Sequence, residues 1–234
     1  MKSLLLRADI LKAKLKVLET GEAQTRRLSG LRKLNEHPDK WDLAGWDGGY
    51  KAFVFYERYP LVGKSIVKPK YQVGEVVYLP EAWRIISFSD DLSEALVYFP
   101  DSSKGNWCEI PHNLRFYYFN RFVDGKYHEW QSPLFMPEIF ARYFAQITAV
   151  RYQRLWEISE DDAIKEGITM NNTPWPGWYW MKDTYSTDCP LLAFGMLWNS
   201  ISPKQKWETN PWVIVYSFTA THYSGVRNVR MPRV

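Results

Sequence analysis

The chain has 234 residues, of which 46% are hydrophobic and 17% aromatic. This length suits one large domain or two small ones, and the hydrophobic content excludes a chain that is disordered throughout. Cys108 and Cys189 are the only cysteines and lie far apart without a metal-ligand spacing, which excludes a disulfide framework. The sequence has neither a signal peptide nor an apolar run of membrane-spanning length, so it predicts a cytoplasmic protein without a membrane partner.

Positive charge is concentrated at the start of the chain. The net charge is only +4, but residues 1–40 contain ten Lys and Arg against five Asp and Glu. A localised basic face is expected of a protein that binds a phosphate-bearing ligand such as RNA. A basic face that is merely solvated has the same sequence pattern, so this alternative stays open.

A helix is predicted over residues 8–19, where apolar side chains recur at helical spacing. Gly21 suits the end of this helix, because glycine accepts the left-handed conformation of a C-cap. The polar run that follows is predicted to be a loop carrying Thr25, Arg26 and Arg27. Guanidinium groups match the geometry of phosphate, and a threonine hydroxyl both donates and accepts, so this loop is the first candidate for ligand binding.

A second candidate stretch covers residues 71–83. A Gly-acid turn leads into a short β run that ends at Pro80, because proline cannot donate a hydrogen bond to a central ladder. Glu81 and Trp83 then lie just beyond the strand, where binding groups of β folds often occur. They could recognise a base by hydrogen bonding and stacking. A core tryptophan beside a structural glutamate is the alternative that the sequence leaves open.

The remaining pattern mixes short strands and helices without βαβ alternation, which favours an α+β fold with a small closed barrel or a strongly curved sheet. In the first part of the chain we predict a strand over 50–59, a basic linker over 64–70, and an insertion of hairpins and loops over 84–130 with a strand at 114–123. A long strand over 140–155 and a helix over 158–167 follow, the helix with Ser159 as N-cap and Gly167 at its end. The last predicted elements are a helix over 191–200, a strand over 212–219 and a basic tail at 223–234.

Four separated pieces carry a family resemblance. They are the first helix with Gly-x-x-Gln-Thr-Arg-Arg at 8–27, Tyr-Gln-x-Gly-Glu-x-x-Tyr-Leu-x-Glu-x-Trp at 71–83, Met-Pro and the long strand continuing to Ile-Ser-Glu-Asp-Asp-Ala-x-x-Glu-Gly-Ile at 136–168, and Leu-Trp-Asn-Ser-Ile followed by Trp-Glu-x-Asn-Pro-Trp-Val at 197–213. In this order they resemble the ASCH-domain proteins of phages and prophages, a branch of the PUA-like superfamily. The resemblance implies one PUA-like ASCH domain over 1–222, a small β-barrel with flanking helices, with an insertion at about 84–130.

The resemblance also implies a cleft beside the first helix, suited to RNA or a modified nucleobase. One bacterial branch of the superfamily consists of small amidohydrolases that deacetylate N4-acetylcytidine with a Lys, a Thr and a Glu. By motif, their Thr falls on Thr25 and their Glu on Glu166, but their Lys falls on Glu22, which has the opposite charge. A replacement would have to be brought into the cleft by the fold, from the lysines of the first helix, Lys12, Lys14 and Lys16.

The first functional hypothesis is a monomeric module that binds RNA or a modified nucleoside. In it Arg26 and Arg27 hold phosphate, while Glu81 and Trp83 recognise the base. Ion pairs between the arginines and the acidic helix at 160–162 are the structural alternative.

The second hypothesis is a metal-independent hydrolase of an acylated nucleoside, or a ribonuclease. Glu166 would be the general base and Thr25 an orienting or attacking hydroxyl. The alternatives are that Glu166 is an exposed residue of a last helical turn and that Thr25 holds its own backbone. No metal is predicted, because the four histidines show no ligand spacing, and no cofactor is expected. A third possibility is a host-protein ligand held by the aromatic segment 84–130.

Overall fold

The computed structural model describes residues 1–58, 63–100, 105–170, 177–179 and 187–221, so the predicted tail at 223–234 lies outside the described residues. Its helices are α1 (Ala8–Thr20), α2 (Arg32–Glu36), α3 (Arg115–Val123), α4 (Glu160–Lys165) and α5 (Pro190–Ile201). Its strands are β1 (Lys2–Ser3), β2 (Glu22–Arg27), β3 (Trp41–Asp47), β4 (Ala52–Glu57), β5 (Lys64–Val67), β6 (Val76–Leu79), β7 (Arg84–Phe88), β8 (Glu94–Tyr98), β9 (Asn106–Glu109), β10 (Tyr143–Arg154), β11 (Thr169–Met170), β12 (Trp178–Tyr179) and β13 (Trp212–Thr221).

The chain divides into two compact units. Among the described residues, the first unit consists of Met1–Leu11, Val76–Ala145 and 220–221, and the second of Lys12–Glu75 and Gln146–Thr219. The predicted α+β class is confirmed, since several sheets combine with few helices. None of the sheets formed by the described residues closes into a barrel. Among those residues, no helix combines the length and the apolar character needed to span a bilayer.

The first unit is built around an antiparallel sheet with the strand order β7-β8-β9, and β1 pairs in parallel with β6. The prediction of a strand at 114–123 is wrong, because these residues form helix α3. Its aromatic residues favour strands by propensity, but Leu114, Tyr118 and Phe122 recur every four residues and pack against one apolar core. Helical spacing therefore outweighs the local propensity here.

The second unit contains two sheets. In one, β10, β13 and β2 are neighbours in that order, and β2 lies at the edge. In the other, the order is β3-β4-β5, and Phe55 of β4 packs its ring against Tyr152 and Trp212. The prediction of a basic linker at 64–70 is therefore wrong for its first half, which forms strand β5 and pairs with β4.

The prediction of a loop after Gly21 is also wrong. Residues 22–27 form strand β2, which pairs antiparallel with β13 from Glu22 opposite Thr219 to Arg27 opposite Ile214. The helix does end at Thr20, but Gly21 is not among the residues with positive φ. A polar run forms a strand here because its partner, almost 190 residues later, supplies the backbone hydrogen bonds.

The later elements agree with the sequence analysis. The long strand, the apolar helix and the last strand correspond to β10, α5 and β13. Ser159 caps α4 as predicted, its hydroxyl accepting the Asp162 backbone N–H at 3.1 Å. Gly167 follows the helix with φ +101°, a conformation that residues with a Cβ rarely adopt.

Gly167 also permits a close contact between α1 and the end of α4. A Cβ added to Gly167 would lie 2.9 Å from the Cβ of Ala13. We expect Gly167→Ala to lower the free energy of unfolding by about 3 kcal/mol, because backbone strain of about 1–2 kcal/mol adds to steric overlap of about 1–3 kcal/mol. Urea denaturation measures this loss.

Gly74→Ala is the matched control for this prediction. Gly74 has φ +85°, but a Cβ added there would meet nothing within 4 Å, so its replacement tests backbone strain alone. We expect a loss of about 1–2 kcal/mol for Gly74→Ala. Equal losses for the two variants would show that the contact with Ala13 has no energetic role.

Candidate functional site

Lys14 is a fully buried lysine on the inner side of α1, between the buried residues Leu11 and Leu18. Its ammonium donates to the backbone carbonyl of Gln24, to the carbonyl of Glu166 at 3.1 Å and to the Glu166 carboxylate at 2.7 Å. Three acceptors match the three N–H donors of an ammonium group. Lys14 therefore joins α1 to the edge strand β2 and to the end of α4.

The network continues from Glu166 through Arg26 to solvent. Arg26 donates from one Nη to Glu166 at 2.9 Å and from the other to Asp162 at 2.8 Å. The same Asp162 oxygen accepts from Arg151 of β10 at 2.6 Å, and the Arg151 side chain is 39% exposed. We call Lys14, Arg26, Arg151, Asp162 and Glu166 the charge network.

Two glutamines extend the charge network along the sheet. Arg151 donates to the side-chain oxygen of Gln153 at 2.9 Å and to that of Gln24 at 3.3 Å. Both glutamines are buried. The Nε2 of Gln153 and the Nε of Arg26 are buried as well, and within the described part of the chain neither has an acceptor. A buried donor without an acceptor costs about 1–3 kcal/mol, which makes these two atoms the unsatisfied part of the network.

The network carries more positive than negative charge, because three cations face two carboxylates. Burial lowers the pKa of the Lys14 ammonium, and the adjacent Glu166 carboxylate partly offsets this effect. The cations Arg27 and Arg26 lower the pKa of Lys14 further. Perturbed ionisable groups of this kind occur both at functional sites and in structural ion pairs.

Strand geometry separates the two arginines that the sequence places side by side. Successive side chains of a strand point to opposite faces, so Arg26 and Arg27 of β2 do not form one cationic pair. Arg26 makes the ion pair with the acidic helix that was the structural alternative. Arg27 is half-buried. Burial lowers the pKa of its guanidinium, and neighbouring side chains, Tyr71 first among them, partly offset this lowering.

Thr25 is buried and lies opposite Tyr216 of β13. By the same alternation, its side chain shares the face of Arg27 and not that of Arg26. Glu166, in contrast, is bound to Arg26 and is buried, so the alternative of an exposed last-turn residue is wrong. The structure thus brings Arg26 and Glu166 together and places the Thr25 side chain on the other face of β2.

Glu81 and Trp83 belong to the first unit. The Glu81 carboxylate accepts two hydrogen bonds from Arg142, at 2.8 and 2.5 Å. Trp83 is 1% exposed, and its ring centroid lies 5.2 Å from those of Tyr127 and Phe140. These contacts are those of a core tryptophan beside an ion-paired glutamate, the alternative that the sequence left open.

Glu22, which stands where the related amidohydrolases have lysine, makes its own ion pair. Its carboxylate accepts from Thr148 at 2.6 Å and from Lys165 at 3.3 Å. The lysine that reaches Glu166 comes from α1 instead, and its sequence signal is a charged residue within an apolar stripe. Asp162 belongs to the acidic helix that the sequence offered as a partner of the arginines, whereas Arg151 gave no signal of its own, because its contact with Asp162 depends on how β10 and α4 fold together.

The described residues contain no group of three or more His, Cys, Asp or Glu side chains able to hold a metal ion. No protein-family model, curated protein or solved structure matches this chain. The resemblance to ASCH-domain proteins therefore stays a prediction, and the site has to be interpreted from its own geometry.

Glu166→Gln tests how strongly the charge network holds the second unit together. The substitution removes the charge that compensates both Lys14 and Arg26, and breaking a buried ion pair costs about 3–5 kcal/mol. We expect urea denaturation to show a loss of this size. Asp161→Asn, on the exposed side of the same helix, should lose less than about 1 kcal/mol. Similar losses for both variants would contradict a structural role of the network.

Proposed function

We propose that this chain binds RNA or a modified nucleobase at the charge network of its second unit. The observation that carries the proposal is the excess of donors over acceptors. Three cations face two carboxylates, and the buried N–H groups at Arg26 Nε and Gln153 Nε2 have no acceptor among the described residues. A phosphate group or the carbonyl oxygens of a base would supply acceptors to such a site.

A route to solvent supports the same proposal. Arg151 joins the buried part of the network to the surface, since its guanidinium contacts Asp162 while its side chain is partly exposed. A guanidinium in this position can bind an incoming oxyanion without moving the buried Lys14–Glu166 pair. We also propose that the chain is an ASCH protein of the PUA-like superfamily, and this proposal is supported by the four ordered sequence motifs.

A hydrolase acting on an acylated nucleoside is the second candidate. It is favoured by one observation, the Lys14 ammonium 2.7 Å from Glu166, which supplies a lysine despite Glu22. Two observations rank it below binding. Each Glu166 carboxylate oxygen already accepts from a cation, and the Thr25 side chain lies on the opposite face of β2 from Arg26. Glu166 and Thr25 are therefore not placed to exchange a proton with a substrate bound at the charge network.

Gln153→Leu tests the binding proposal through ligand affinity, with stability measured beside it. The variant removes a buried donor that has no acceptor among the described residues, and with it the oxygen that accepts from Arg151 at 2.9 Å. Because these two effects oppose each other, the free energy of unfolding should change by less than about 1 kcal/mol. The variant also removes a donor offered to the ligand, so affinity for a fluorescein-labelled single-stranded RNA or for N4-acetylcytidine should fall about tenfold, the equivalent of one hydrogen bond. Anisotropy and calorimetry measure the two affinities.

Gln146→Leu makes the same chemical change at an exposed position of β10 and should leave both affinities unchanged. Arg151→Met should weaken RNA binding and reduce its salt dependence, because one cation is lost. The proposal is rejected if the parent protein binds neither RNA nor the nucleoside, or if Gln153→Leu and Gln146→Leu bind equally well.

The hydrolase is tested by incubating the protein with N4-acetylcytidine and, separately, with single-stranded RNA. If product forms with the parent protein and is absent with Glu166→Gln, the hydrolase is supported and simple binding is rejected as the function. Asp161→Asn serves as the folded control, since it retains the charge network. Absence of product from both substrates, together with RNA binding, rejects the second candidate.

A further inference from the structure

One face of the sheet β3-β4-β5 in the second unit is open to solvent around Tyr56 and Lys64, although Val54 on the same face is buried. Tyr56 lies opposite Lys64, and Val54 lies opposite Ile66, so the side chains of these rungs share a face. The other face holds Phe55, which packs into the core. Tyr56 is 44% exposed, and Lys64 and Ile66 are exposed as well.

A lysine between two exposed tyrosines marks the centre of this face. The Lys64 ammonium lies 4.9 Å from the ring centroid of Tyr50 and 6.0 Å from that of Tyr56. Tyr50, in the turn between β3 and β4, is 49% exposed. Lys68, two residues beyond Ile66, is also exposed. We call Tyr50, Tyr56, Lys64, Ile66 and Lys68 the lysine–tyrosine face.

The cations of this face exceed its carboxylates by one, since Asp42 is paired with Arg58 while Lys64 and Lys68 stand against Asp47. Asp42, opposite Tyr56, is held by Arg58 at 2.5 Å, and Asp47 accepts the backbone N–H groups of Gly49 and Tyr50. Both carboxylates are thus engaged by groups of their own hairpin. Within the described ranges, no ion pair involves the lysines of the face.

We propose that the lysine–tyrosine face is a docking surface for single-stranded nucleic acid, separate from the charge network. Exposed rings offer faces on which unpaired bases stack, and the interleaved ammonium groups attract the phosphates between them. A duplex hides its base faces and would use only the lysines. This inference rests on the proposed function in one respect, namely that the ligand is nucleic acid.

The face complements the charge network by its chemistry. The network offers buried donors to one group of a ligand, whereas the lysine–tyrosine face sets Lys64 between the exposed rings of Tyr50 and Tyr56. Two rings beside a cation suit neighbouring nucleotides of any sequence, because every base has a π face. RNA would then engage the face along its length.

Fluorescence anisotropy with a labelled oligo(U) of about twelve nucleotides, within the span that one such binding surface covers, tests the inference on the full chain. Tyr56→Ala should weaken binding about 5- to 150-fold, the fold-change that corresponds to the loss of one stacked base. Tyr56→Phe keeps the ring and should bind within about twofold of the parent. Lys64→Ala/Lys68→Ala should lower the slope of log affinity against log salt by about 1.4, because two phosphate contacts to a single strand are lost.

Lys12→Ala/Lys16→Ala is the charge-matched control, since it removes two exposed lysines from α1. It should leave the slope unchanged. The inference is overturned if Tyr56→Ala binds like Tyr56→Phe, if the α1 control loses as much affinity as Lys64→Ala/Lys68→Ala, or if duplex RNA binds as tightly as oligo(U). Binding of an acidic peptide in place of oligo(U) would assign the face to a protein partner and overturn it too.

The two proposals fail in different ways. If oligo(U) binding responds to Gln153→Leu and not to Tyr56→Ala, the lysine–tyrosine face is excluded while the charge network stands. If it responds to Tyr56→Ala while N4-acetylcytidine binding is absent and Gln153→Leu has no effect, the face stands and the network is structural. These results are separable because the variants lie on different sheets.

Discussion

The buried ammonium of Lys14 is the interaction on which the candidate site depends. It brings together a helix, an edge strand and the end of a second helix, and each of its N–H donors has an acceptor. Because Lys14 occupies one oxygen of the Glu166 carboxylate, Arg26 binds the other. Arg26 then turns its second Nη to Asp162, which also accepts from Arg151 near the surface. One buried charge thereby fixes a chain of four further partners.

The hydrogen-bonding groups around Lys14 and Glu166 all have partners, whereas two donors next to them have none among the described residues. The donors of Lys14 and the carboxylate oxygens of Glu166 all have partners, whereas Arg26 Nε and Gln153 Nε2 remain without acceptors in the described ranges. A buried ion network that serves stability alone gains nothing from unmatched donors. The mismatch is the observation on which the proposed binding site rests, while the matched pairs hold the side chains of the network in place.

The sequence predicted the elements whose signals are local. Helical spacing identified α1, an apolar run identified α5, and the Ser159 cap and Gly167 bounded α4. Partial alternation identified β10, and an apolar, β-branched run identified β13. It failed for β2, whose partner strand is far away in sequence, and for α3, where aromatic propensity concealed a period of four. The site was predicted only in part, because strand formation decides which of Thr25, Arg26 and Arg27 share a face.

The position of Lys14 at the side of β2 has a consequence for self-association. An edge strand presents unpaired backbone groups to which a strand of another molecule can add. On β2 the carbonyl of Gln24 is bound by the Lys14 ammonium of α1. One backbone acceptor of the edge strand is thereby already engaged within the chain and is not left for a strand of a neighbouring copy.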